Sequence, residues 1–319
     1  MRIAVAALLA ACASTAAVAQ TYPLKTIRWI VPFPPGGGND TIARLVAQKL
    51  TASIGQQVIV DNRPGAGGTI GAEAAAKSPG DGYTLFLAGV ATHGINPNLR
   101  KKLPYDAIKD FHAVSLIASA PLLVVVHPSL PARSVKDLIA LAKARPGQIN
   151  YASNGAGGSS HLAVELFDMM TGVRMTHIPY KGLTPALTDL LSGEVQVMFS
   201  SAVAMLPQVK AGRLRAIAMT GSKRSAAIPN IPTVAESGVP GYETGSWYGV
   251  VVPTGTPKAA VDRLSREIQT IVKSQDITSK LNEEAVIPVG STPEAFDKHI
   301  RAELARWAKV IKAAKIELE

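Results

Sequence analysis

Cysteine is all but missing from this 319-residue chain, whose one thiol, Cys12, falls within the first twenty residues. A single thiol cannot build a disulfide framework or a cysteine-based metal site. Aromatic residues make up only 5% of the composition. The 33 basic residues outnumber the 23 acidic ones but are scattered, and Arg100-Lys101-Lys102 is their longest run. Scattered charge with few aromatics is a poor footprint for nucleic acid, so none is expected as a partner. Long apolar runs are lacking as well, and no segment beyond residue 20 reads as a membrane span.

Motifs of covalent and cofactor chemistry are equally scarce. No glycine loop ends in the Lys-Ser or Lys-Thr of a phosphate-cradling Walker motif, and Gly65, Gly67 and Gly71 miss the G-x-G-x-x-G register of dinucleotide binding. His161 and Glu165 stand four apart on an expected helix, but no second ligand pair or H-E-x-x-H accompanies them. No metal and no cofactor are therefore expected. A G-x-S-x-G elbow is absent. Ser159, Ser160, Ser200 and Ser201 are conceivable nucleophiles, which leaves a serine hydrolase as the enzymatic alternative. Serines beside glycine loops more often cap helices or donate hydrogen bonds to a ligand, so no catalytic residue is assigned.

What the chain does have is glycine at strand ends. Trp29 to Val31 runs through Pro32-Phe33-Pro34-Pro35 into Gly36-Gly37-Gly38-Asn39-Asp40, where a helix begins. Asn62 to Thr69 repeats the chemistry, and Asn154-Gly155-Ala156-Gly157-Gly158-Ser159-Ser160 does so near mid-chain. Glycine permits tight turns and close approach, while a helix start offers unpaired N–H groups and a positive dipole end. Together they can hold an anion without a side-chain charge.

The first twenty residues read as an export signal: Arg2, an apolar stretch to Ala11, and Ala17-Val18-Ala19 as a cleavage site. Leu9-Ala10-Ala11-Cys12 allows the alternative of a lipoprotein anchored at Cys12. Removing Arg2 leaves 32 basic against 23 acidic residues, a mature charge of +9.

Alternating strand-like and helical runs predict an α/β fold with mostly parallel sheets. Strands are expected at 26–31, 57–61, 84–88, 114–127, 149–152, 175–179, 195–199, 214–220, 248–252 and 285–289. Ser134, Thr256-Pro257 and Thr292-Pro293 read as helix starts. The 114–127 run is long for a strand and suits a crossing between two lobes, with 245–253 as the return. Lobe one is then 21–120 plus 248–319, and lobe two 121–247. Open α/β sheets place ligands at strand ends, here in the cleft between lobes. His93, after a strand end, is either a buried histidine or a ligand contact; Phe33 and Trp247 are either flat cleft walls or core.

The ordered motifs resemble one family. Val31-Pro32-Phe33-Pro34-Pro35-Gly36-Gly37, Asn62-Arg63-Pro64-Gly65-Ala66-Gly67-Gly68, Asp81-Gly82-Tyr83-Thr84 and Thr92-His93-Gly94-Ile95-Asn96-Pro97 come first. Leu103-Pro104-Tyr105-Asp106, His177-Ile178-Pro179-Tyr180-Lys181-Gly182 and Pro232-Thr233-Val234-Ala235-Glu236-Ser237-Gly238 follow. Across the whole mature chain this resembles the Bug (Bordetella uptake gene) family, the periplasmic receptors of tripartite tricarboxylate transporters. The resemblance implies a type II-like periplasmic binding protein whose two lobes close on a small organic carboxylate. It also implies delivery to membrane permease subunits, or presentation of the closed form to a sensor protein, by a monomer.

The implied ligand-binding residues are Phe33, Gly37, Gly38, Asn39, Thr92, His93, Asn154, Gly157, Gly158, Ser159, Ser200, Ala202 and Trp247. Many members of that family carry aspartate where Ser200 stands. A serine cannot offset a ligand ammonium as well, so an aliphatic or aromatic mono- or dicarboxylate is expected, and not an amino acid.

Overall fold

The computed structural model describes residues 22–283 and 285–314. The leader, Cys12 and the proposed cleavage site lie outside these described residues. The chain opens with β1 (Ile27–Val31), α1 (Gly38–Ile54), β2 (Val58–Asn62), α2 (Thr69–Ala76) and β3 (Thr84–Gly89). A wide helical turn over Ala91–Ile95 and one short turn of helix at Asn96–Leu99 precede β4 (Phe111–Val126). Next come α3 (Val135–Ala144), β5 (Asn150–Ser153), α4 (Ser159–Thr171), β6 (Thr176–Pro179) and α5 (Leu183–Ser192). They are followed by β7 (Val197–Ser201), α6 (Ala202–Lys210), β8 (Arg215–Met219) and β9 (Gly245–Pro253). The chain ends with α7 (Lys258–Val272), α8 (Gln275–Glu283), β10 (Ile287–Pro288) and α9 (Pro293–Ala314).

All ten expected strands are present, with ends shifted by a few residues. They pair in the order β2-β1-β3-β9-β4-β7-β5-β6, with β8 and β10 also on β4. Strand β4 is the joint. From Phe111 to Pro121 it pairs with β9, and from Leu122 to Val126 it pairs with β7 and β8. Sixteen residues are far more than one sheet requires, and the surplus carries the chain from one lobe to the other.

The expectation of mostly parallel sheets needs correction. Each lobe has a parallel kernel: β2-β1-β3 in one, β6-β5-β7 in the other. The crossing strands β4 and β9 run antiparallel to each other and to the kernel strands β7 and β3 that they border. A chain that leaves a lobe and returns must reverse direction, and this makes the fold a mixed two-lobed sheet.

Helix α9 braces the joint. Phe296, Ile300, Leu304, Trp307 and Ile311 recur along it at helical spacing; all are buried but Leu304, which is partly so, and the helix packs on β4, the 91–95 turn and α4, so it touches both lobes. Gly249 on β9 lets the Phe296 ring in, since a Cβ there would lie 2.1 Å from the ring. Burying such a ring stabilises by roughly 1.5–3 kcal/mol. The Ser134 side chain caps α3 by accepting the Asp137 N–H at 3.2 Å. Thr256 does not cap α7 as expected; its hydroxyl donates back to the Pro253 carbonyl, and Pro257 holds the N-cap position.

Candidate ligand-binding cleft

Two strand–glycine–helix units meet at one cavity of about 440 Å³, a size within the usual range for small-molecule sites. Lobe one contributes Phe33, Asn39, Gly67 and residues of the 89–100 segment, among them Asn96 and Arg100. Lobe two contributes Asn154 through Ser159, and crossing strand β9 adds Ser246, Trp247 and Tyr248.

The first turn is locked by charge. The Gly36 N–H donates to Asp40 Oδ2 at 2.9 Å, Arg44 Nε donates to both Asp40 oxygens at 2.9 Å, and Asn62 Nδ2 bridges Asp40 Oδ1 and the Phe33 carbonyl at 3.0 Å. Burial alone would raise the Asp40 carboxyl, but the bonds from Arg44, Gly36 and Asn62 outweigh it and hold the group below its ordinary range. Helix α1 then starts at Gly37 with no side-chain cap, so its first-turn N–H groups are not spent on one.

The second turn is locked without a carboxylate of its own. The Gly157 N–H donates to His161 Nδ1 at 3.0 Å, which leaves the proton on Nε2, 3.5 Å from Glu165 Oε1. Ser160 Oγ donates to Asn154 Oδ1 and accepts the Asn154 N–H. Behind this, the His161 and His177 rings stack at 3.8 Å, His177 Nε2 meets Ser153 Oγ at 2.7 Å, and the Tyr151 hydroxyl donates to Glu165 at 2.6 Å. Burial, then the neighbouring His161, push His177 down to about 4, so it is neutral at pH 7. Helix α4 starts at Gly158, again without a side-chain cap.

Of the residues singled out from sequence, Phe33, Asn39, Asn154, Gly157, Gly158, Ser159 and Trp247 line this cavity. The N–H groups of Gly157 and Gly158 are already engaged, by His161 and by the Gly155 carbonyl. The donors left for an anion are therefore first-turn amides of the two helices. Gly37 and Gly38 belong to the first turn but are outside the lining; a Cβ on Gly38 would sit 3.1 Å from the Tyr248 hydroxyl. Trp247 is 3% exposed, and its indole N–H donates to Glu303 Oε2 at 3.1 Å, so that donor is not available to a ligand.

Thr92, His93, Ser200 and Ala202 are not brought to the cavity. Thr92 exchanges hydrogen bonds with the Gly89 backbone, while His93 is fully buried among Phe86, Tyr105 and Phe111. Burial drives His93 down to about 3, which makes it a neutral core ring. Ser200 is buried on β7 opposite Leu123. The sequence reading missed Asn96, Arg100, Ser246 and Tyr248. The longest basic run begins at Arg100 and was the available signal for that one; the β9 residues needed the crossing to be seen.

The profile of the tripartite tricarboxylate transporter family receptor, TctC, matches residues 42–316. The chain belongs to this receptor family. It is 40% identical over 302 residues to Protein BugT of Bordetella pertussis strain Tohama I, covering 94% of this chain and 93% of BugT. Among solved structures it is similar to R. palustris Rpa4515 with adipate, at 41% identity and TM-score 0.81, covering 93% of this chain and 99% of that one. It is also similar to MatC (Rpa3494) from Rhodopseudomonas palustris with bound malate, at 30% identity and TM-score 0.76, covering 91% and 100%. TctC is a receptor family, and similar solved structures include the periplasmic binding protein BugD and a TctC solute binding protein from Polaromonas. Among the described residues no helix is long and apolar enough to cross a membrane.

Proposed function

We propose that this receptor captures a small organic carboxylate in the cleft and hands it, in a closed form, to the permease subunits of a tripartite transporter. One observation carries the reading: two uncapped helix starts converge on a single cavity that no carboxylate lines among the described residues. Their amides and dipole ends favour an anion on both sides of the cleft. Such a site would reject an ammonium group, which has no counter-charge there. That argument replaces the one based on Ser200.

A lobe boundary at residue 121 on β4 and residue 247 on β9 is supported by the change of β4 partners between Pro121 and Leu122. Ligand would favour closure through the contacts that the closed cleft adds. Export by cleavage after Ala19 would place the soluble chain in the periplasm as a monomer.

Calorimetry tests this directly, with adipate, malate, succinate, benzoate, aspartate and glutamate as titrants. Binding of at least one dicarboxylate or benzoate, with aspartate and glutamate silent, is the expected result. Binding confined to the amino acids, or indifference to every acid, would overturn it. Native mass spectrometry of the freshly purified protein should show a co-purified acid, and uptake should be lost when the gene is deleted.

A further inference from the structure

Arg100 is the one charged side chain lining the cavity among the described residues. It follows the short helix at Asn96–Leu99, on the lobe-one side, facing a second lobe that offers the cavity only neutral groups. Its bonding is incomplete. One terminal nitrogen, Nη2, donates to the Ala66 carbonyl at 3.2 Å, while the buried Nε has no partner. Among the described residues no carboxylate pairs with it, although Asp40, Asp61 and Asp106 each hold a basic partner of their own. A buried guanidinium N–H without an acceptor costs free energy unless something supplies one. Asn96, also lining the cavity, donates to the Gly67 carbonyl at 2.9 Å and so holds the adjoining turn in place beside it.

We infer that Arg100 anchors a second acid group of the ligand, so that this receptor selects dicarboxylates over monocarboxylates of the same carbon skeleton. The inference rests on the carboxylate reading above and sharpens it. One carboxylate lies at the uncapped helix starts, where amides receive it. The other meets the planar fork of Arg100, which matches a carboxylate in shape as well as charge. A monoacid would fill the first position and leave the guanidinium as it is now.

The test pairs succinate with butyrate, adipate with hexanoate, and phthalate with benzoate, each titrated calorimetrically into wild type, Arg100→Gln and Arg100→Lys. In wild type at least one diacid should bind about tenfold or more tighter than its monoacid. Arg100→Gln should erase that ratio while leaving monoacid affinity unchanged, and Arg100→Lys should retain part of it. Melting temperatures without ligand identify a variant that has lost its fold; Arg100→Met, which keeps the aliphatic stem, then takes the place of Gln.

Three results would overturn the inference. Arg100→Gln weakening both members of a pair alike would mean that Arg100 only pins the Ala66 turn. Monoacids binding wild type as tightly as diacids would sink the inference while sparing the carboxylate reading. Wild type binding no acid at all would bring down both.

Discussion

The two glycine turns of the cleft meet at the same cavity and are held by opposite chemistry. The 33–39 turn is fastened by an ionised carboxylate, with Asp40 gathering Gly36, Arg44 and Asn62 around two oxygens. The 154–159 turn is fastened by neutral groups, chiefly His161, Ser160 and Asn154, backed by stacked rings. Under the proposed carboxylate reading, each solution would keep the net charge at its helix start from competing with an incoming anion. In the first turn Arg44 cancels Asp40; in the second there is no charge to cancel at the turn itself. The lesson is that an anion site built on backbone needs its supports electrically quiet.

The sharpest way to break this comparison is at the backbone. Gly157 lies at φ +71°, where a β-branched residue is strained by about 1–2 kcal/mol or more. Gly37 lies at φ −85°, and a Cβ there meets only the Pro34 carbonyl at 3.9 Å. Gly157→Val should therefore weaken ligand binding by about tenfold or more, and Gly37→Val by less than about threefold, measured by calorimetry. Equal losses would mean that the second turn has no special backbone requirement.

Next in size come the fasteners themselves. Asp40→Ala takes the acceptor from the Gly36 N–H and from Arg44 Nε, and leaves Arg44 only Asn62 Oδ1 and Asn62 Nδ2 only the Phe33 carbonyl, a loss of about 2–4 kcal/mol. His161→Leu removes one neutral acceptor from the Gly157 N–H, a loss of about 1–2 kcal/mol, part of which His161→Asn should restore through its Oδ1. Urea unfolding at constant m-value measures both. If the two costs are the same, the distinction between charged and neutral fastening has no energetic content.

The smallest effect concerns pH. Behind α4, burial raises Asp168 to about 7, with the Glu165 charge adding to it and the Met175 N–H opposing. A folded value above the unfolded one means that this group's contribution is full below about 3.8 and lost as pH rises through about 7. His177 works the other way: its contribution is present above 6.5 and lost as pH falls toward about 4. Asp168→Asn should thus gain on the order of 1 kcal/mol over wild type at pH 8, less at pH 5 and nothing below about 3.8, by urea unfolding. A gain of the same size at both pH values would show that Asp168 is not the titrating group.

Much of this was readable before folding. Strand positions followed from short apolar runs bounded by glycine and proline, and the length of β4 signalled a crossing, because one lobe has no use for sixteen residues of strand. Both glycine loops were visible because tight turns need glycine wherever they occur. Sidedness was not. Thr92 and His93 sit in the right motif yet face inward, and Ser200 pairs with β4 away from the cavity.

The sequence by itself determined which segments become strands, which helices begin after glycine, and that a single thiol, Cys12, and no metal motif or nucleophile elbow was on offer. These are local properties, set by backbone sterics and by the spacing of apolar residues. Only the tertiary structure decided that Arg100 shares a cavity with Asn154 and Ser246, or that His161 takes the Gly157 N–H. Residues more than fifty positions apart meet because β4 and β9 fold the lobes toward each other, and no local rule encodes that distance.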